Sequence, residues 1–155
     1  MPGRVAHGTY AHDLGRRHPF EVAMLFAAGV VGLSRFLAPT SGTLEREIPS
    51  WLVVSWYAVL FCGAVTALAG ISWRDPVTGL LIERAGLWFL TVSGLVYTIV
   101  LVSSGGFRAL AAAIFVLGFG GASAVRAYDI GRVLVRLKAL ALAHKAVLSE
   151  GELPE

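Results

Sequence analysis

A small set of charged side chains interrupts the long apolar stretches of this sequence, and their types and spacing could do chemistry. Carboxylates and guanidinium groups stand near one end of each stretch, at Glu21, Arg74, Glu83, Arg84, Arg126 and Asp129. An unpaired charge in hydrocarbon costs about 2.5–3.5 kcal/mol on the insertion scale, so charges there tend to pair. We therefore predict a single layer of ion pairs between helices, the charged collar. The alternative is that each side chain reaches water separately.

The sequence contains no motif that carries a known catalytic or metal-binding chemistry. It lacks a glycine-rich phosphate loop, a nucleophile elbow and a zinc-binding His–Glu pair, and Cys62 is its one cysteine. His7, His12 and His18 are loosely spaced and poorly supported by acidic or cysteine ligands. Glu83 is the best catalytic candidate, but a carboxylate paired with arginine suits structure better than proton transfer. We expect a non-enzymatic protein without cofactor or metal.

The composition indicates that lipid surrounds most of the chain. Of the 155 residues, 56% are hydrophobic and only 15% are charged, and the mean hydropathy is +0.72. Soluble globular chains carry about 25% charged residues. The sequence pI near 9.4 does not require a nucleic-acid partner, because orientation in a membrane and attraction to anionic lipid account for the basic residues.

Four apolar stretches are each suited to a membrane-spanning helix. They cover about residues 20–38, 51–73, 80–102 and 109–125, close to the roughly 20 residues that cross about 30 Å of hydrocarbon. They lack the period-2 alternation of a membrane β-barrel. We predict an all-α, integral membrane four-helix bundle over residues 20–125, a flexible cytoplasmic tail over 1–19 and an acidic tail over 149–155. Asp75 and Pro76 are typical of a helix start and predict that the third helix begins there.

The distribution of lysine and arginine predicts the orientation. With four spans, ten of the thirteen basic residues lie on the side of both termini, and the other three are Arg35, Arg46 and Arg108. Basic residues concentrate on the cytoplasmic side, so we predict a multi-pass protein of the cytoplasmic membrane with both termini in the cytoplasm. A cleaved signal peptide is the rival interpretation of the first stretch, but Phe36 stands where a small residue is needed before the cleavage site.

Small residues recur within the predicted spans at spacings that let helix backbones approach closely. They are Ala28 and Gly32 in the first span, Gly63, Ala67 and Gly70 in the second, and Gly118, Gly120, Gly121, Ala122 and Ala124 in the fourth. Packing within the bundle is the first interpretation of these residues. Homo-oligomerisation through the fourth helix is the second.

Helical periodicity continues past the fourth span, over residues 126–148. Apolar positions recur every three or four residues while Arg132 and Arg136 occupy the opposite face, which predicts an amphipathic cytoplasmic helix. It could lie on the inner leaflet, self-associate or bind a cytoplasmic partner. The apolar stripe that would make such a contact consists of Ile130, Val133, Leu137 and Leu140, followed by His144 and Val147.

Eleven arginines against two lysines, with abundant alanine, glycine and valine, indicate a GC-rich coding genome. Short stretches then resemble a group of small four-span membrane proteins encoded by phages and prophages of actinobacteria: Arg17-His18-Pro19-Phe20-Glu21, Pro49-Ser50-Trp51, Trp73-Arg74, Thr78 to Gly86, and Arg126-Ala127. The resemblance covers about residues 16–137 and includes no motif of established chemistry. It implies a phage membrane protein, and some members of that group are regarded as holin-like.

These observations leave functions of different classes open. The preferred one is a non-enzymatic membrane-interaction protein with the cytoplasmic helix as its binding element. The alternative is a holin-like protein that oligomerises and permeabilises the cytoplasmic membrane. A small channel or transporter ranks third, because the mid-membrane polar side chains are only those of Thr66, Ser93, Thr98 and Ser123.

Overall fold

The computed structural model describes residues 19–37, 49–105 and 109–150, which fold into four helices without any strand in those ranges. Helix α1 spans Pro19–Leu37, α2 spans Ser50–Ser72, α3 spans Pro76–Gly105 and α4 spans Leu110–Glu150. The prediction of an all-α chain with four helices is therefore confirmed. The fourth helix also continues unbroken past the predicted span, as its periodicity indicated.

Three of these helices are long and apolar enough to cross a membrane, over Ser50–Ser72, Pro76–Ser103 and Leu110–Ala143. A shorter apolar stretch, Pro19–Ser34, lies in α1. Large apolar side chains on all four helices face outward, among them Phe26, Val54, Phe89 and Phe115. An apolar surface this extensive is typical of helices surrounded by lipid. The structure thus supports membrane insertion, while the fourth span and the orientation stay predictions.

The helices pack in chain order, with α1 against α2, α2 against α3 and α3 against α4. Helices α1 and α4 instead face each other across a cleft. The buried core draws on all four helices and consists of Leu25, Ala28, Leu60, Ala64, Ala67, Leu87, Leu90, Ala127 and Ile130. Four of these nine residues are alanines, whose small side chains let the helices approach closely.

Glycine residues bring α2 and α3 into backbone contact. A Cβ atom on Gly86 would lie 2.4 Å from the backbone N of Ala67, and one on Gly70 would lie 2.3 Å from the backbone N of Glu83. Both distances are shorter than real Cβ contacts, so any larger side chain there would force the two helices apart. Gly32 allows the same close approach between α1 and α2, because an added Cβ atom there would lie 2.7 Å from the backbone N of Phe61.

The small residues of α4 divide into two groups. Gly120 is buried, and its added Cβ would lie 3.6 Å from Cα of Gly94 on α3. By contrast, an added Cβ on Gly118 or Gly121 would meet nothing within 4 Å. Ala122 is exposed as well, while Ala124 is partly buried. Three of the five predicted small residues of α4 are therefore exposed rather than packed against a neighbouring helix.

Helix α3 begins at the cap that the sequence indicates. The backbone N–H of Thr78 donates a hydrogen bond of 3.0 Å to Oδ2 of Asp75, and the Thr78 hydroxyl donates to the same oxygen. Pro76 is the first residue of the helix, where its missing N–H has no partner to lose. The prediction that Asp75 and Pro76 start this helix is confirmed.

Several predictions fall on residues outside the described ranges. These are the N-terminal tail up to residue 18 with its three histidines, the connection that contains Arg46, the residue Arg108, and the acidic tail beyond Glu150. The side chains of Arg35, His144 and Val147 also lie outside what the structure describes.

Candidate functional site

Three charged side chains from three helices meet at the end of the bundle where α1 begins. The Nε atom of Arg126 on α4 donates a hydrogen bond of 3.3 Å to Oε1 of Glu83 on α3. The same Nε lies 3.9 Å from Oε2 of Glu21 on α1. We name Glu21, Glu83 and Arg126 the acid–arginine cluster. It links α4 to α1, two helices that otherwise stand apart across the cleft.

The three members of this cluster differ in burial. The Glu83 side chain is 4% exposed, whereas those of Arg126 and Glu21 are 33% and 37% exposed. Glu83 is deeply placed because the close approach of Gly70 brings α2 against its backbone. A buried carboxylate needs a charged or hydrogen-bonding partner, and Arg126 supplies one.

Arg84 follows Glu83 in sequence but lies in different surroundings. Its guanidinium group packs over Gly131 of α4, where an added Cβ would lie 3.2 Å from Cζ of Arg84. Its Nε is buried and has no hydrogen-bond partner among the described residues. A side chain at position 131 would displace this guanidinium, so the glycine makes room for it.

The other two members of the predicted charged collar stand outside the acid–arginine cluster. Arg74 and Asp129 are both exposed, and neither forms an ion pair with another described residue. Arg74 lies in the short connection between α2 and α3, and Asp129 lies three positions after Arg126 on α4. Of the six collar residues, the structure therefore joins three, places Arg84 separately and leaves Arg74 and Asp129 on the surface.

The acid–arginine cluster closes one end of a cleft of about 610 Å³ between α1 and α4. The rest of the cleft is mainly apolar, and its walls include Phe20, Met24, Leu25, Ile114, Phe115 and Phe119. The open glycine of α4, Gly118, also lines it. Cavities of roughly 300–1,000 Å³ with apolar walls and few polar groups are typical of small-molecule sites. No signal in the sequence pointed to this cleft.

The acid–arginine cluster retains unused hydrogen-bonding capacity toward the cleft. Within the described residues, Arg126 makes polar contacts only through Nε, so its two terminal nitrogens donate no hydrogen bond there. The Glu21 carboxylate likewise accepts no hydrogen bond from the described residues, since its only polar contact is 3.9 Å long. A guanidinium with free terminal N–H groups is suited to a phosphate or carboxylate.

Two hydroxyl side chains deeper in the bundle donate hydrogen bonds within their own helices, whereas the buried Oγ of Ser93 has no hydrogen-bond partner among the described residues. Thr98 donates to the carbonyl of Gly94 at 2.8 Å, and Ser123 donates to that of Phe119 at 3.0 Å. Trp56 of α2 donates from Nε1 to the carbonyl of Ser93 at 2.9 Å and stacks on Tyr97, with ring centroids 4.3 Å apart. This aromatic contact between α2 and α3, which sequence reasoning missed, holds the helices together at the end away from the cluster.

The second candidate site is the part of α4 that extends beyond the bundle, residues 135–143, which we name the free end of α4. Val135, Leu140 and Leu142 in this segment are 70%, 68% and 60% exposed. Leu134 is the last residue of α4 that packs against the core. At 1.5 Å per residue the 41 residues of α4 extend about 60 Å, roughly twice the thickness of the hydrocarbon layer.

The apolar stripe predicted for this helix is only partly available for contacts. Ile130 is 2% exposed and belongs to the core, and Val133 is partly buried. Leu137 and Leu140 remain exposed. Ile130 was therefore wrongly placed on the contact surface, because the bundle extends further along α4 than the apolar stretch of the fourth span indicated.

Within the described residues, histidine, cysteine, aspartate and glutamate form no group of three that could hold a metal ion. Comparison of the chain with protein-family models, with curated proteins and with solved structures gave no match.

Proposed function

We propose that this chain is a non-enzymatic, multi-pass protein of the cytoplasmic membrane that acts through contacts made by the free end of α4. In this proposal both termini lie in the cytoplasm, as the distribution of basic residues favours. The resemblance to small phage and prophage membrane proteins supports a phage origin. The observation that carries the proposal is that α4 continues past its last core contact at Leu134 with large apolar side chains exposed.

The free end of α4 carries apolar residues on two sides. At 100° per residue, Val135 and Leu142 fall within about 20° of one line along the helix, while Leu137 and Leu140 fall on roughly the opposite side. Arg136 and Lys138 stand between the two lines. A helix of this kind can rest one side on the inner leaflet, where anionic lipid attracts the basic residues, and present the other side to a protein.

The test uses an environment-sensitive fluorophore on a cysteine introduced at Leu140, in a chain whose exposed Cys62 is replaced by alanine. In vesicles with anionic lipid we expect a blue-shifted emission that a lipid-borne quencher reduces. The matched control carries the fluorophore at Ala139, about 100° around the helix, and we expect less quenching there. Emission typical of water at both positions, at every protein concentration and lipid composition, would contradict the proposal.

A second candidate function, a holin-like permeabilisation of the membrane, is favoured by a different observation. Gly118, Gly121 and Ala122 are exposed on α4, and added Cβ atoms on the two glycines meet nothing within 4 Å. Such a surface lets a helix of another copy come close. Induced expression with a membrane-potential dye tests it. We expect Gly121→Leu to delay depolarisation and Ala69→Leu, on the exposed side of α2, to leave it unchanged; no depolarisation at high expression would remove this function.

A further inference from the structure

We propose that the cleft between α1 and α4 binds one phospholipid whose headgroup carries both a phosphate and a primary ammonium group. The acyl chains would occupy the apolar part of the cleft, and the headgroup would lie against the acid–arginine cluster. The proposed lipid site does not depend on the free end of α4.

The shape of the cleft fits a lipid chain. Its volume is about 610 Å³, and it lies between two helices that make at most slight contact with each other. It therefore opens sideways, in the direction from which lipid reaches a membrane protein. Phe20 of α1 and Phe115 of α4 line it and are each 70% exposed, so they offer apolar surface to a chain that enters.

The polar end of the cleft fits a phosphate. Arg126 uses Nε for Glu83, while its terminal nitrogens donate no hydrogen bond to a described residue and its side chain is 33% exposed. These terminal N–H groups form the planar fork that binds phosphate oxygens in pairs. Holding Nε on Glu83 fixes the orientation of the guanidinium before any ligand arrives.

Charge complementarity distinguishes a zwitterionic headgroup from a singly charged one. A purely anionic headgroup on Arg126 would also face the Glu21 carboxylate, which lies 3.9 Å from Nε of Arg126. A purely cationic ligand on Glu21 would face the guanidinium across the same distance. A headgroup with both charges places phosphate on Arg126 and ammonium on Glu21, so each protein charge meets its opposite.

The unused hydrogen-bonding capacity of Glu21 favours a headgroup with a primary ammonium group over one with a quaternary ammonium group. Its carboxylate accepts no hydrogen bond from the described residues and is 37% exposed. A primary ammonium donates up to three hydrogen bonds to such an oxygen, whereas a trimethylammonium group has no N–H to donate. We therefore expect phosphatidylethanolamine to bind better than phosphatidylcholine or phosphatidylglycerol.

The experiment measures lipid adducts by native mass spectrometry and thermal unfolding on the full chain in detergent. We expect phosphatidylethanolamine to form a one-to-one adduct, to raise the unfolding temperature and to bind at least about tenfold more tightly than the other two lipids, a ratio that equals about 1.4 kcal/mol. Glycerophosphoethanolamine and inorganic phosphate, which lack acyl chains, should produce no shift. Equal binding of all three lipids, or a full shift with phosphate alone, would overturn the proposal.

Three variants locate the site on the cleft. Gly118→Leu fills the apolar part and should abolish the adduct, whereas Gly121→Leu, which introduces the same side chain on α4 at a residue that does not line the cleft, should preserve it. Glu21→Gln should remove the preference for phosphatidylethanolamine over phosphatidylcholine while both still bind. An adduct that survives Gly118→Leu, a preference that survives Glu21→Gln, or a dimer that forms in place of the lipid adduct would each contradict the assignment.

Discussion

Arg126 of α4 donates a hydrogen bond from Nε to Oε1 of Glu83 of α3 at 3.3 Å, with the carboxylate side chain only 4% exposed. Hydrogen bonds to charged groups contribute about 1.5–3 kcal/mol. We expect Glu83→Arg to lower the free energy of unfolding by at least that amount, because it also places two like charges together. Unfolding in detergent, followed by circular dichroism, measures the loss.

Adding Arg126→Glu to Glu83→Arg should restore part of the stability that the first change removes. The recovery is partial, since the new carboxylate at position 126 would face Glu21, whose Oε2 now lies 3.9 Å from Nε of Arg126. Arg74→Glu is the matched control: Arg74 is exposed and should neither destabilise the chain alone nor rescue Glu83→Arg. Rescue by Arg74→Glu instead of Arg126→Glu would contradict the observed pairing.

Substitution by alanine should have opposite effects on stability at two glycines, one in the contact between α2 and α3 and one on the open side of α4. Gly86→Ala places a Cβ 2.4 Å from the backbone N of Ala67, and such overpacking costs about 1–3 kcal/mol. Gly121→Ala meets nothing within 4 Å and should stabilise the helix by about 0.5–1 kcal/mol. The unfolding temperatures of the two variants measure this, and a Gly86→Ala variant as stable as the parent would refute the close approach.

The start of α3 should be sensitive to acid. Hydrogen bonds from the Thr78 hydroxyl and backbone N–H lower the pKa of Asp75 below its ordinary value of 3.8. The cap therefore contributes its full stability above that value and loses it as the pH falls through the lowered pKa. We expect Asp75→Asn, which keeps a capping oxygen, to show a smaller loss of unfolding temperature between about pH 6 and about pH 2.5 than the parent. Equal losses in the two proteins would contradict this role of Asp75.

The two parts of α4 should respond differently to truncation of a large apolar side chain. Ile130 is 2% exposed and Leu140 is 68% exposed. Ile130→Ala removes core contacts and should cost about 2 kcal/mol or more. Leu140→Ala should leave the stability of the detergent-solubilised chain nearly unchanged. Chemical unfolding of both variants tests whether the bundle ends where the structure places its end.

The helices were predictable from local patterns, but the pairing of charges was not. Uninterrupted apolar residues and the Asp75–Pro76 cap sufficed to locate helices, since both signals act within a few turns. Glu83 and Arg126 are 43 positions apart, and whether they meet depends on how far each helix is rotated about its axis. The glycine contacts between α2 and α3 fix the rotation of α3 and direct Glu83 inward. Asp129, on α4, remains exposed.

The cleft could not be predicted for a related reason. It exists because α1 packs on α2 and leaves α4 uncovered, and no pattern within a single helix records which neighbours are absent. The position of Ile130 illustrates the same difficulty. Its apolar character fits a core contact and a partner contact equally well, and only the length of the bundle along α4 decides between them.

The continuity of α4 joins the part of the helix that lines the cleft to the free end of α4. Arg126 beside the cleft and Leu140 beyond the bundle belong to the same unbroken helix, about 21 Å apart along its axis. A rotation of α4 that widens or narrows the cleft carries Leu140 through the same angle, so the surface that the free end of α4 presents is geometrically coupled to what lies between α1 and α4.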